Sequence, residues 1–519
     1  MGRRFPRRSP QVGVTLVMAV IVAAAGFGPG PGAPDNAAAA PPPTGGRISG
    51  VSASFDSSFG NRAQRIAGLR RMAAIGVGVD RVDALWDLIE RTPGVYDWSS
   101  LDYRIQEIND AGLTPRVILG FGNPLYSSRG AAAAGVLGRD FGGLPPFGIG
   151  APRFFPPDDT VTSLSAFARW AAALATRYRG RAHLFEVWNE ENGGYRFWEP
   201  REDPAWYGDL LAATYDAVKQ AAPGATVAFG GTFFPGVDAH ALGVMGVAAG
   251  VVNSLALPSM GSLEFINAAL SAHPDLGRHF DALAYHPYHF PYYGPEVDIP
   301  FEGTTEASMV QVRRLLDAHG LASKPIWITE VGWPNNTCAY GVPPAKSASF
   351  LVRTYALAWA HGIDQVDWYT YGDGPQSCVN QEAAFGVFDA TGKPKPAYGA
   401  WATLDRILLP LRFVDDQSAA LKLPPNGRAL RFGSSAVSVT VAWLAPETLN
   451  SDTGALPSAD ARAQVALPPG VVAVYDMGGT RLPLAPTFEA SPYPVYLVVP
   501  APNPPASVGP AAGLPNTSR

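Results

Sequence analysis

Cysteine is scarce: among 519 residues there are two, Cys338 and Cys378, with no histidine near either. That excludes a disulfide-stapled scaffold and a cysteine-rich zinc module, and leaves either one bridge or two buried thiols. Charge is sparse as well. Charged residues make up 16% of the chain, the net charge is −5, and no basic stripe runs through it, which excludes a nucleic-acid partner held by phosphate contacts. Beyond Val12–Phe27 no stretch is apolar enough for a membrane span. The first strand-like run is not followed by a glycine-rich phosphate turn, since "SFDSSFGN" is not one, and this counts against an open, doubly wound sheet. What is abundant is apolar and aromatic side chain, 47% and 11%, enough to bury a large core, with 56 Gly and 50 Pro for turns.

The N-terminus carries Arg3, Arg4, Arg7 and Arg8, then the apolar run, then "GPGPGAPDNAAAAPPPTGG". Basic, apolar and small-residue segments in that order predict an export signal, with Ala33 or Ala37–Ala40 offering cleavage sites. The alternative is an uncleaved anchor; a Pro/Ala-rich linker to residue 45 follows in either case.

Eight apolar, strand-like runs follow: Arg47–Phe55, Gly78–Trp86, Thr114–Gly122, Ala182–Glu190, Thr226–Phe234, Asp281–His289, Pro325–Trp333 and Gln365–Asp373. Between them lie stretches of helical periodicity such as "NRAQRIAGLRRMAAIG" and "SASFLVRTYALAWAHG", several closed by Gly. Eight strand-then-helix units within residues 46–410 predict an α/β fold, a closed (β/α)8 TIM barrel. After Leu411 the texture changes to short β-type runs broken by Pro and Gly, which predicts a C-terminal β-sandwich over residues 411–500. Residues 501–519 read as a low-complexity tail.

In such a barrel, polar residues at the C-terminal ends of strands face the site. "LFEVWNEEN" ends the fourth unit with Glu190, and "WITEVGW" ends the seventh with Glu330. Two carboxylates at the mouth, on strands across the barrel from each other, are what cleavage of a glycosidic bond requires: one protonates the leaving oxygen while the other attacks or activates water. Glu186, four residues before Glu190, is expected inside the barrel in an ion pair with an Arg, and Trp188 in the core.

"VWNEEN", "ITEVGW", "YHPY" and a Trp in the eighth unit together resemble the clan of retaining (β/α)8 glycoside hydrolases with catalytic glutamates on strands four and seven. Within it, "GVDRVDALWDLIERTPGVYDWSSLD" is most similar to family 39, with families 5 and 79 as neighbours. The resemblance covers roughly residues 46–499. It implies Glu190 as the general acid/base and Glu330 as the nucleophile, with Asn189 binding the sugar 2-hydroxyl. It places Arg81 beside Glu330 to keep it ionised, His286 and Tyr288 within reach of Glu330 or substrate, and Trp368 as the floor of the subsite. Glu191 stands where a Pro is often found, so the acid role could shift to it. The substrate implied is a polysaccharide or oligosaccharide, without metal or organic cofactor. Two other readings remain, a carbohydrate-binding barrel without catalysis and a transglycosylase.

Trp198, after strand four, and Trp333 and Tyr340, after strand seven, are candidates to stack on sugar rings. Cys338 and Cys378 fall in neighbouring loops after strands seven and eight, where a bridge would close a loop of about 40 residues and contribute about 3 to 4 kcal/mol on the loop-entropy view. The long stretches at residues 127–157 and 235–261 are expected to border the site, as a cleft rather than a pocket.

Overall fold

The computed structural model describes residues 47–53, 61–137, 151–194, 197–234, 260–288, 294–296, 305–336, 342–374, 381–445 and 461–500. The N-terminal segment, the tail, Tyr340, Cys338 and Cys378 lie outside these residues, as do 138–150 and 235–259 of the two expected border stretches.

Eight parallel strands close into a barrel. They are β1 (Ile48–Ser52), β2 (Val79–Leu85), β3 (Thr114–Gly120), β4 (Leu184–Asn189), β5 (Thr226–Phe233), β6 (Ala282–His286), β7 (Ile326–Val331) and β8 (Gln365–Tyr369). Each neighbours the next in sequence, and β8 pairs with β1 to complete the ring. All eight predicted runs therefore become barrel strands. The outer layer is α1 (Arg62–Ala73), α2 (Ser99–Asp110), α3 (Val161–Arg177), α4 (Pro204–Ala221), α5 (Ser262–Ala272), α6 (Thr305–Ala318), α7 (Pro344–Ala360) and α8 (Pro396–Leu408). Local chemistry sets their ends. Asn61 and Gln64 form a capping box on α1, Asp203 caps α4 just before Pro204 at its first turn, and Gly76, Gly112 and Gly362 take positive φ in the turns beyond α1, α2 and α7. No described helix is long and apolar enough to cross a membrane.

The barrel interior is built in layers. At one end Val79, Leu184, Ala228, Ala282, Ala284 and Trp327 pack as an apolar plug. Above it lies a charged layer. Arg116 pairs with Asp367, lies 3.6 Å from Glu186, and stacks its guanidinium 4.8 Å from the Trp327 ring centre. Gly50 on β1 makes room for this layer, because a Cβ there would fall 1.9 Å from Asp367 Oδ1.

The C-terminal region is antiparallel. Its strands are β9 (Arg412–Asp416), β10 (Gly427–Gly433), β11 (Val437–Leu444), β12 (Ala463–Ala466), β13 (Ala473–Asp476), β14 (Arg481–Leu482), β15 (Thr487–Ala490) and β16 (Val495–Pro500). A six-stranded sheet in the order β9-β10-β11-β16-β13-β14 shares a core around Leu444, Val465, Phe488 and Leu497 with the pair β12–β15. Buried Glu296 joins this region to the barrel, accepting from Arg353 of α7 at 2.8 Å and from the Trp443 indole of β11 at 2.7 Å.

Candidate active site

Strand β4 does not run straight to its end. Trp188 and Glu190 hold φ angles of +74° and +51°, a left-handed conformation uncommon outside glycine that costs on the order of 1–3 kcal/mol per residue. The pairing with β5 steps from Val187↔Phe229 to Asn189↔Gly231 across this kink. Trp188 turns outward into an aromatic cluster with Phe121, Phe167 and Trp198, and Asn189 and Glu190 are delivered to the mouth. The facing strand is adapted to them. A Cβ on Gly231 would sit 2.2 Å from His286 Nε2, and one on Gly230 would sit 2.5 Å from Glu191 Oε2. The "GG" of β5 is thus the space that His286 and Glu191 occupy.

Arg81 organises the mouth. Buried on β2, it donates to Glu186 at 3.0 Å, to Asn189 Oδ1 at 2.8 Å, and to Glu330 Oε1. Burial alone would push the Glu186 carboxyl up, but Arg81 and Arg116 outweigh it and hold the group below its ordinary range. Tyr288 donates to the second Glu330 oxygen at 3.1 Å. His286, fully buried, makes hydrogen-bond contact through Nδ1 with Glu190 Oε1 and through Nε2 with Thr329 Oγ1, both at 3.1 Å. An oxygen of Glu190, an oxygen of Glu330 and a nitrogen of His286 all lie within 4.8 Å of one another. These three donors are also a set from which a metal site could start, but Arg81 and Tyr288 already engage both oxygens of Glu330 and the guanidinium would repel a cation there.

Comparison with solved structures identifies the architecture. A family 39 glycoside hydrolase from the gut symbiont Bacteroides cellulosilyticus WH2 superposes with a TM-score of 0.63 at 21% identity, over 87% of this chain and 81% of its own. A monomeric β-xylosidase from Caulobacter crescentus CB15 follows at TM-score 0.52 and 16% identity, over 88% and 96% of the two chains. A glucosidase from Croceicoccus marinus matches at TM-score 0.52 and 12% identity, over 87% and 94%. The chain has the fold of family 39 glycoside hydrolases. No family model matches its sequence, and no curated protein does.

The structure thus brings Arg81, Asn189, Glu190, His286, Tyr288 and Glu330 together, and it places Glu186 in its ion pair and Trp188 in the core. It corrects the three tryptophans. Trp368 follows Asp367 on β8, and since Asp367 points into the barrel, the alternation of a strand turns Trp368 outward. There it is fully buried, stacked 5.6 Å from Trp333, which in turn packs on Phe350 of α7. Neither ring reaches the mouth. Trp198 is also buried, between Trp188 and Tyr207, and has no open face for a sugar. Glu191 is removed as an alternative acid. It is fully buried beside Gly230 and Tyr207, and that burial pushes its carboxyl well above the ordinary range.

Two inward residues were missed. Tyr369, two positions beyond Asp367 on β8, is half-buried at the mouth and joins Phe385 and Tyr288 in an aromatic wall, with ring centres 5.5 and 6.2 Å apart. Asp83, two positions beyond Arg81 on β2, is exposed. The period of two that placed Arg81 inside also places both of them there.

Proposed function

We propose that the chain is a retaining glycoside hydrolase of family 39 type, exported through its N-terminal segment, that cleaves O-glycosidic bonds in a polysaccharide or glycoconjugate by double displacement. The observation that carries this reading is the approach of Glu190 and Glu330 oxygens to within 4.8 Å. Retaining pairs stand about 5–5.5 Å apart, whereas inverting pairs leave about 6.5–9.5 Å for a water between them.

In this reading Glu330 attacks the anomeric carbon while Glu190 gives its proton to the departing oxygen. The glycosyl–Glu330 ester is then hydrolysed by a water that Glu190 deprotonates. Arg81 and Tyr288 each hold one Glu330 oxygen, which fixes the carboxylate in line for attack. Asn189 accepts from Arg81 through its carbonyl oxygen, which leaves its amide free to donate to the sugar 2-hydroxyl. His286, set by Thr329, holds Glu190 on the leaving-group side.

The test is the stereochemistry of the first-formed product. A panel of aryl glycosides and cell-wall or capsular polysaccharides is incubated with the enzyme and followed by NMR from the first minutes. Retained anomeric configuration supports double displacement; inverted product, or binding with no release of reducing ends, overturns it.

A further inference from the structure

One carboxylate at the mouth has no counterpart in this mechanism. Asp83 lies on β2, two residues beyond Arg81, so its side chain points to the same interior face. Its neighbours across the sheet are Ile118 of β3 and then Glu186 of β4, one layer below the catalytic glutamates. It is exposed, and it makes neither a hydrogen bond nor an ion pair with any described residue. Arg81, the cation on its own strand, is already committed to Glu186, Asn189 and Glu330, and Arg153 is committed to Asp87 at 3.0 Å. The protein crowded around this water-accessible side chain pushes the Asp83 carboxyl up, Arg81 and Arg153 pull it down, and Glu330 and Glu186 push it further up. In the empty protein water donates to this exposed carboxylate. A ligand that displaces that water is favoured only if it supplies hydrogen-bond donors in its place and brings no further negative charge.

We propose that Asp83 is a substrate-binding, specificity-determining residue: it accepts hydrogen bonds from hydroxyl groups of the sugar held between Glu190 and Glu330, and together with the Glu330 carboxylate it rejects sugars that carry a carboxylate or sulfate. This rests on the glycosidase reading and assigns its substrate class, a neutral glycoside. The case is electrostatic and geometric. A hydroxyl donating to a carboxylate makes one of the stronger hydrogen bonds available to a sugar. A uronate at the same place would face the Asp83 and Glu330 carboxylates, Glu190 holding its proton as the acid, with one arginine already shared among three partners.

The experiment compares 4-nitrophenyl glucoside, galactoside and mannoside with the corresponding uronides, on the wild type, Asp83→Asn and Asp83→Ala, after matched circular dichroism and melting curves. The wild type is expected to hydrolyse a neutral glycoside at least about 100-fold better than its uronide in kcat/KM. Asp83→Ala should lose about 10- to 100-fold on the neutral substrate, the effect of deleting a hydrogen bond to a charged group. Asp83→Asn, which keeps an acceptor and drops the charge, should narrow the neutral-to-uronide ratio at least about tenfold. A wild type that prefers the uronide, or an Asp83→Ala enzyme within about threefold of wild type on the neutral substrate, overturns the proposal while leaving the glycosidase reading intact. If no aryl glycoside is turned over, the glycosidase reading fails. Calorimetric titration with neutral and acidic oligosaccharides then decides Asp83 separately: equal binding of the two classes, or binding unchanged in Asp83→Ala, overturns it, and selective neutral binding lost in Asp83→Ala supports it.

Discussion

The middle layer of the barrel and its mouth are made from the same residue types and behave in opposite ways. In the middle layer Arg116, Glu186 and Asp367 are fully buried, with the arginine between the two acids and the Trp327 ring against it. One strand-turn higher, Arg81 meets Glu330, whose side chain retains 14% of its exposure, and Glu190 sits beside His286. Below, arginine and acid are sealed from water and hold the interior together. Above, the same ion pairing leaves Glu330 open to the mouth with a Glu190 oxygen within 4.8 Å of one of its own. What separates structure from chemistry here is access rather than residue type. Gly50 closes the lower layer onto Asp367, and the kink at Trp188 opens the upper one.

The comparison is broken most severely at the mouth. Glu330→Ala should abolish turnover of every glycoside, because no glycosyl-enzyme can form whatever the leaving group; a loss on the order of 10⁶ in kcat is typical when a nucleophile is removed. The fold should survive, since Arg81 keeps Glu186 and Asn189 as partners. Residual turnover above about 1% would remove Glu330 from its role.

Glu190→Ala should separate substrates by leaving group. An aryl glycoside of an acidic phenol needs little protonation, so its first step should persist, and added azide should restore turnover as a glycosyl azide of retained configuration. Natural polysaccharide, with an alkoxide to expel, should lose about 10²- to 10⁴-fold. Equal damage to both substrates would rule Glu190 out as the acid.

In the middle layer the expected damage is to stability. Arg116→Met strands Asp367 without its cation, and breaking a buried pair in this way commonly costs about 3–5 kcal/mol. Asp367→Asn in the same chain should recover much of it, because burial already presses the Asp367 carboxyl up to about 7, close to the neutral form that Asn imitates. Chemical denaturation of the two single variants and the double variant gives the coupling. Additive losses would mean that the pair is not a unit.

Much of this was legible in the sequence. Strands were countable because each apolar run is short and framed by turns. Glu190 and Glu330 were visible because a carboxylate that closes a buried strand must face either a cation or a ligand. Side-chain direction was harder. The resemblance made Trp368 the floor, yet parity with Asp367 turns it to the helices and brings Tyr369 inward instead. At Trp188 the left-handed kink breaks the alternation: a count of twos from Glu186 places Glu190 inside, as found, but would also turn Trp188 inward and Asn189 outward, the reverse of what the structure shows. Trp198 stands between Phe197 and Glu199 in a loop-like stretch but lies against Trp188 through a tertiary contact that no local pattern encodes. Asp83 obeys the same rule of alternation that placed Arg81, but a single acid inside a strand carries no motif to mark it.

The smallest effect, and the finest distinction, lies between the adjacent glutamates Glu190 and Glu191. One faces the mouth; the other is fully buried, and burial pushes its carboxyl well above the ordinary range. A carboxyl whose folded-state pKa exceeds its unfolded value binds its proton more tightly in the native state. Folding is then unpenalised at low pH, where both states are protonated, and loses stability as pH rises through the unfolded value near 4.5 toward the folded one. Glu191→Gln removes that dependence while copying the neutral acid in shape. The variant should match the wild type near pH 4 and become progressively more stable than it toward neutral pH, with turnover changed by less than about tenfold, or 1.4 kcal/mol. Denaturation midpoints measured at several pH values check the sign. A variant that is less stable than wild type at neutral pH, or that loses activity as Glu190→Ala does, would mean that Glu191 is ionised and working at the mouth rather than buried behind it.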